Sequence, residues 1–150
     1  MEESEIPWRV RQAVYHHFIE HGTAPTIDQL TKRTGLAADG VRGSLGFLAA
    51  HHQIVFAPAS SEEIWMAHPF SGIPTEFLVS TATGSYWANC AWDLFGIAAL
   101  LRQDGHAVTR CAETGETAEV YLQPGRPVTA PGVVHFLVPP RHFWKNVAFT

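Results

Sequence analysis

The chain has 150 residues, 46 % apolar, 16 % charged and 11 % aromatic, with a formal net charge of −4. That balance supports one compact unit, or two small lobes sharing a core, and argues against a surface built for phosphate backbones. No apolar run is long enough to cross a bilayer, two cysteines are too few for a disulfide framework or zinc ribbon, and the acidic start Met1-Glu2-Glu3-Ser4-Glu5 is unlike a secretory leader, so a reducing cytoplasm is the expected setting.

Pro7 suits the first turn of a helix, and Val10, Val14, Phe18 and Ile19 follow with helical spacing until Gly22 stops them. Thr26 caps a short second helix through Ile27, Leu30 and Thr31, and Thr34-Gly35-Leu36 turns the chain. A third helix is predicted from Ala38 to His51, burying Val41, Leu45 and Leu48, followed by strands at Ile54-Val55-Phe56 and Ile64-Trp65-Met66. Three helices and a two-stranded wing make a winged-helix-like lobe over residues 1–67. The usual task of such a lobe is DNA binding, but its charges argue against it. Residues 1–57 carry Arg9, Arg11, Lys32, Arg33 and Arg42 against Glu2, Glu3, Glu5, Glu20, Asp28 and Asp39, and the third helix offers one arginine.

Residues 68–75, with Pro69, Gly72 and Pro74, read as an irregular link, and residues 76–150 as an α+β core. Within that core, Glu76–Ala82 is β-prone and Thr83-Gly84-Ser85 is a hairpin turn leading through Tyr86 and Trp87 into a helix that Gly105 closes. Ala107–Cys111 and Thr117–Gln123 pair across Glu113–Glu116, Pro124–Pro127 turns, and Val133–Val138 is an apolar strand ended by Pro139-Pro140. Trp144–Phe149 returns as a strand or begins a helix. The expected fold is therefore α+β, the three-helix lobe packed on a small mixed β-sheet that carries the Cys90 helix.

That helix holds the chemistry. Asn89 is a good N-cap, which places Cys90 in the first turn, where free amides and the helix dipole favour a thiolate. Asp93, three residues on, shares its face and is the only charged residue between Glu76 and Arg102. Among Trp87, Trp92, Leu94 and Phe95 its carboxyl is expected to titrate high through desolvation, as a proton carrier would. The plain alternative is a small core cysteine and a first-turn carboxylate favoured by the dipole.

The segment Trp87-Ala88-Asn89-Cys90-Ala91-Trp92-Asp93 with its apolar helix resembles the active-site segment of the organomercurial (alkylmercury) lyases, and Cys111-Ala112-Glu113-Thr114-Gly115 is similar to a Cys-Ala-x-Thr-Gly turn of that family. The resemblance implies protonolysis of a carbon–mercury bond. Cys90 would take the metal as a thiolate, Asp93 would manage the proton, and Trp87, Trp92 and Phe95 would receive the organic group. It also implies no cofactor, mercury being substrate and product ion, a small organomercurial or soft metal ion as partner, and a scaffold role for the N-terminal lobe. The family completes the metal's ligation with a second cysteine beyond the strand corresponding to Val133–Val138, which this sequence does not carry. Cys111 reads as a packed thiol. Two other classes stay open: a non-catalytic thiol-based binder of a metal or small ligand, and a winged-helix regulator sensing through Cys90.

The nine histidines lack the spacing of a metal site. His17 and His21 share a helical face without a third ligand in phase, His51-His52 ends a helix, and His68, His106, His135 and His142 fall singly, so all are read as surface or capping residues.

Overall fold

The computed structural model describes residues 5–126, 128 and 132–149. Helix α1 (Ile6–His21) has proline in its first turn and ends on Gly22, whose φ of 70° is left-handed and whose missing Cβ leaves room for the Ser85 carbonyl. Helix α2 (Ile27–Thr34) opens on a full capping box, with Thr26 accepting from the Gln29 amide and Gln29 reaching back to the Thr26 amide. Helix α3 is Ala38–Ala50. The predicted apolar stripe is the buried one, with Val10, Val14, Phe18, Leu30, Val41, Leu45 and Leu48 all essentially inaccessible.

Strands β1 (Val55–Phe56) and β2 (Ile64–Ala67) pair antiparallel with Val55 opposite Met66, as the predicted hairpin requires. The next stretch, expected to be irregular, instead contains β3 (Phe70–Ser71), which pairs with β2 and is buried throughout. The cause is Phe70. Its ring stacks on Phe18 at 5.3 Å and tilts against Tyr86 at 5.5 Å, so the segment is pinned into the core despite its Pro and Gly content.

The second sheet has the order β5-β4-β6-β7, from β4 (Leu78–Thr81), β5 (Ser85–Trp87), β6 (Gly105–Arg110) and β7 (Thr117–Leu122). Every pairing is antiparallel, which corrects the expected mixed sheet. Helix α4 (Ala91–Leu101) does make a crossover between strands that run the same way, β5 and β6, but β4 lies between them, so they never pair. A bridge between Phe70 and Ala88 joins the two sheets, and one cluster of buried side chains runs from Val10 to Leu122.

Two further expectations fail. Gly105 belongs to β6, and α4 is ended by Arg102 in the left-handed conformation, φ 53°. Residues 133–138 form no strand. Val133 is 92 % and Leu137 70 % exposed, since the apolar run meets no partner strand among the described residues and cannot build a ladder alone. The two prolines lead into a 3-10 helix, Pro140–Lys145, that contains Trp144. The predicted turn forms at 124–126, while Pro127 and the acidic start Met1–Ser4 lie outside the described residues. No helix among the described residues is long and apolar enough to cross a membrane.

A Cβ on Gly72 would sit 2.5 Å from the Ile64 carbonyl and 3.2 Å from that of Trp65, both backbone atoms, whereas Gly46 on the exposed side of α3 has nothing within 4 Å. Gly72→Ala is expected to destabilise by about 1–3 kcal/mol through overpacking, and Gly46→Ala to stabilise by up to ~1 kcal/mol through helix propensity. Urea midpoints of the two variants against the parent check both signs.

Candidate active site

The approach to α4 is tied down before the helix begins. The Ala88 amide donates to the Phe77 carbonyl at 2.9 Å, and the Thr75 hydroxyl donates to the Ala88 carbonyl at 2.6 Å. Cys90, not Asn89, is then the N-cap: its backbone is extended, and the Asp93 amide donates to its carbonyl at 3.1 Å. Asn89 does not cap the helix: its Oδ1, the atom a cap would use, meets no donor, and its Nδ2 is engaged instead. Its Nδ2 donates to the Phe70 carbonyl at 3.1 Å and to Asp93 Oδ2 at 3.0 Å.

Asp93 is buried, 9 % exposed. Its Oδ2 also lies 3.2 Å from Nδ1 of His68, a residue that spacing alone leaves as an isolated surface histidine. Asn89 Nδ2 is 3.3 Å from that same ring nitrogen, but its two hydrogens are already directed at Phe70 and Asp93. In the tautomer that carries its hydrogen on Nδ1, the His68 ring donates to Asp93 Oδ2. His68 is in turn held from two sides. The Tyr15 hydroxyl of α1 donates to its carbonyl at 2.6 Å, and Trp144 meets its ring edge-on at 6.0 Å while stacking on His52 at 4.0 Å. Burial, with the Asp93 charge adding to it, raises the Tyr15 phenol, and the Arg11 guanidinium over its ring works against that.

The expectation of a lowered thiol pKa at Cys90 is overturned. Burial raises it, and the neighbouring Asp93 carboxylate adds to that, while the amides of Trp92 and Asp93 at the helix start pull downward without prevailing. The thiol is half-buried, so the dipole's help is smaller than the loss of water and the repulsion of a nearby charge. Cys111 reverses the expectation in the other direction. It is exposed, not packed, and the Thr114 hydroxyl with the Thr114 and Glu113 amides lowers its pKa. Both cysteines are free.

The aromatic residues do not close around this cluster. Trp92 is 63 % exposed and packs edge-on against Phe95 at 6.3 Å, and at about 100° per residue the pair points well away from Asp93 around α4. Phe95 instead borders a hollow of about 170 Å³ with Leu122, Pro124 and Val128. Trp87 is half-buried at the end of β5. The ring that does stand by the His68–Asp93 pair is Trp144, which the sequence placed in a loose C-terminal element. A larger concavity of about 470 Å³, between the start of α2 and Glu62–Ile64, contains none of these residues. The expected set thus divides: Cys90 and Asp93 come together, Trp92 and Phe95 stand apart, and His68, Asn89 and Trp144 join. Of the other histidines, His17 departs most from a surface role, being buried with its ring 4.4 Å from that of His21. No group of three or more metal-ligating side chains forms among the described residues.

A half-buried thiol at a helix start, one turn before a buried carboxylate on an α+β scaffold, defines a thiol–acid site able to hold a soft electrophile and handle a proton beside it. The family profile for the alkylmercury lyases matches residues 70–150, over half the sequence and all of this cluster except His68, and the chain belongs to that family. A solved structure, the mercury-bound form of MerB2, superposes with a TM-score of 0.64 at 27 % identity, covering 85 % of this chain. The chain spans 60 % of that structure's length. No curated protein matches. The alkylmercury lyases act without a cofactor, with mercury as product.

Because the carboxylate contributes to holding the Cys90 proton, Asp93→Asn should move the alkylation of Cys90 by iodoacetamide to lower pH. In the parent, Cys111 should be modified at lower pH than Cys90. Mass-spectrometric rates for each cysteine across pH test both orders.

Proposed function

We propose that the protein cleaves carbon–mercury bonds by protonolysis, with Cys90 as the mercury ligand and Asp93 as the proton carrier. In the first step the Cys90 sulfur displaces the mercurial's counter-ligand and its proton passes to Asp93. In the second, the carbon–mercury bond breaks with its electron pair on carbon, which takes the proton from Asp93. The hydrocarbon leaves and mercury stays on sulfur until an external thiol removes it. Asp93 is regenerated, and because both electrons of the carbon–mercury bond leave with carbon, mercury stays Hg(II) throughout and no redox partner is required.

The observation that carries this reading is the placement of a buried carboxylate beside Cys90, close enough to add to the hold on its proton. A thiol that keeps its proton at neutral pH delivers it to Asp93 only when a soft metal takes the sulfur, so capture and proton loading are one event. Of the side chains expected to receive the organic group, Trp87 stays in this proposal, half-buried at the end of β5, three residues before Cys90, while Trp92 and Phe95 face away from Asp93. The setting is a reducing compartment, where Cys90 remains a free thiol, and the cytoplasm fits it.

The N-terminal lobe, winged-helix-like in element order, is scaffold in this reading. The single arginine of α3, Arg42, is bound to Asp39 at 3.0 Å and Glu62 at 2.6 Å, which argues against a phosphate-reading helix. A second reading has its own support. Cys111 is exposed at the β6–β7 turn outside the cluster, so Cys90 is the one thiol there among the described residues, an arrangement that also suits a stoichiometric binder that never turns over.

In a Cys111→Ser background, which removes the exposed second thiol, replacing Cys90 by Ser should abolish binding of a phenylmercurial, because a hydroxyl is a hard, weak ligand for mercury. Asp93→Asn should bind it and release benzene at least ~100-fold more slowly, the loss typical of a removed general acid. Binding by mercury analysis and benzene by gas chromatography separate the steps. Release at the parental rate from Cys90→Ser sinks the assignment, and a parent that binds without release is a binder.

A further inference from the structure

The carboxylate of Asp93 belongs to a helix whose first turn alone cannot fix its orientation, since a terminal carboxyl rotates about a soft torsion. Two nitrogen donors remove that freedom here. Asn89 Nδ2 at 3.0 Å and His68 Nδ1 at 3.2 Å both fall on Oδ2, so neither of these two nitrogens engages Oδ1. The donors come from different parts of the chain, Asn89 from the lead-in to α4 and His68 from the turn between β2 and β3, 25 residues before Asp93.

That turn is itself fixed at three points. Tyr15 of α1 donates to the His68 carbonyl at 2.6 Å, Trp144 stands against the ring, and Pro69 lies so close to α4 that a Cβ on Gly96 would sit 3.0 Å from the proline Cβ. An incidental surface histidine would not be braced from α1, α4 and the C-terminal segment together. The ring is nonetheless about one-third exposed, so it is not buried merely as core filling.

On the lyase reading above, we infer that His68 is a positioning residue of this site: by donating from Nδ1 to Asp93 Oδ2, jointly with Asn89, it holds the carboxylate in one orientation for proton transfer between Cys90 and the carbon to be protonated. His68 touches neither mercury nor the organic group. Its contribution is orientation of the proton carrier, the kind of supporting contact whose loss reduces activity about 10- to 100-fold.

The test uses the full chain carrying Cys111→Ser, with Cys90 first loaded with phenylmercury, so that only release from Cys90 is read. His68→Ala and His68→Gln should bind the mercurial as the parent does and release benzene about 10- to 100-fold more slowly. His68→Asn should recover the rate to within about 3-fold, because its amide nitrogen occupies the place of Nδ1, which the Gln nitrogen does not. A structural role alone would not separate Asn from Gln, and melting temperatures of the three variants record stability independently. Ring-nitrogen NMR at about pH 8, where an ordinary imidazole is neutral, supplies a readout without turnover. The parent should show His68 protonated on Nδ1, the tautomer that a free imidazole disfavours, and Asp93→Ala should return it to Nε2. A parent protonated on Nε2, or His68→Ala releasing benzene at the parental rate, overturns the assignment. If the parent releases no benzene, the lyase reading falls, and the tautomer and its response to Asp93→Ala then decide whether His68 holds the carboxylate.

Discussion

A carboxylate taken out of water has to be satisfied by donors, and Asp93 is where this constraint falls hardest on the structure. Leaving a buried acceptor without its partner costs about 1–3 kcal/mol, more when it is charged. The donors are supplied by the His68 ring and the Asn89 amide, and Asn89 also holds the Phe70 carbonyl. One carboxylate oxygen therefore links the start of α4 to the turn between β2 and β3, and through Phe70 to the packing of the first sheet on the second. Chemistry and architecture depend on the same few contacts.

The lobes are joined in the same manner elsewhere, by a polar tip at the end of an apolar ring. Tyr86 is buried among Phe70 and its neighbours while its hydroxyl donates to the Ile19 carbonyl at 2.9 Å, and Tyr15 packs edge-on against Phe70 while its hydroxyl holds His68. Each ring contributes apolar area to the shared core, and each hydroxyl satisfies a carbonyl that the junction would otherwise strand. The N-terminal helices thus bear on the site without contributing a reactive group. Helix α1 fixes the backbone of the residue that orients Asp93.

Local chemistry was legible in the sequence where local physics decides. The three N-terminal helices, the cap at Thr26 and the β6–β7 hairpin follow from periodicity, caps and turn residues acting within a few positions. The pairing of Cys90 with Asp93 was legible for the same reason, being one helical turn. What was hidden depends on contacts distant in the chain. The short strand β3 exists because Phe70 finds Phe18, the apolar run at 133–138 stays irregular because no partner strand meets it, and His68 reaches Asp93 across 25 residues. Asn89 misled by carrying two signals. Its side chain suits a cap through Oδ1, but the chain places its Nδ2 as donor to the Phe70 carbonyl and the Asp93 carboxylate, and Oδ1 meets no helix amide.

The thiol shows why a rule about helix starts is insufficient by itself. The amides of Trp92 and Asp93 do favour the thiolate, yet burial and the carboxylate outweigh them, so Cys90 keeps its proton. For a general nucleophile that would be a defect, since the thiolate is the reactive form. For capture of a soft metal it is consistent with selectivity. Hard electrophiles and oxidants meet a poorly reactive thiol, whereas mercury binds sulfur strongly enough to displace the proton. The displaced proton then has an adjacent acceptor, and the negative charge that hindered ionisation is the one it neutralises. On that reading the raised thiol pKa and the oriented carboxylate are two sides of one arrangement. Cys111 shows the opposite balance: it is exposed, and the Thr114 hydroxyl with the Thr114 and Glu113 amides outweighs the Glu113 charge, so its pKa is lowered.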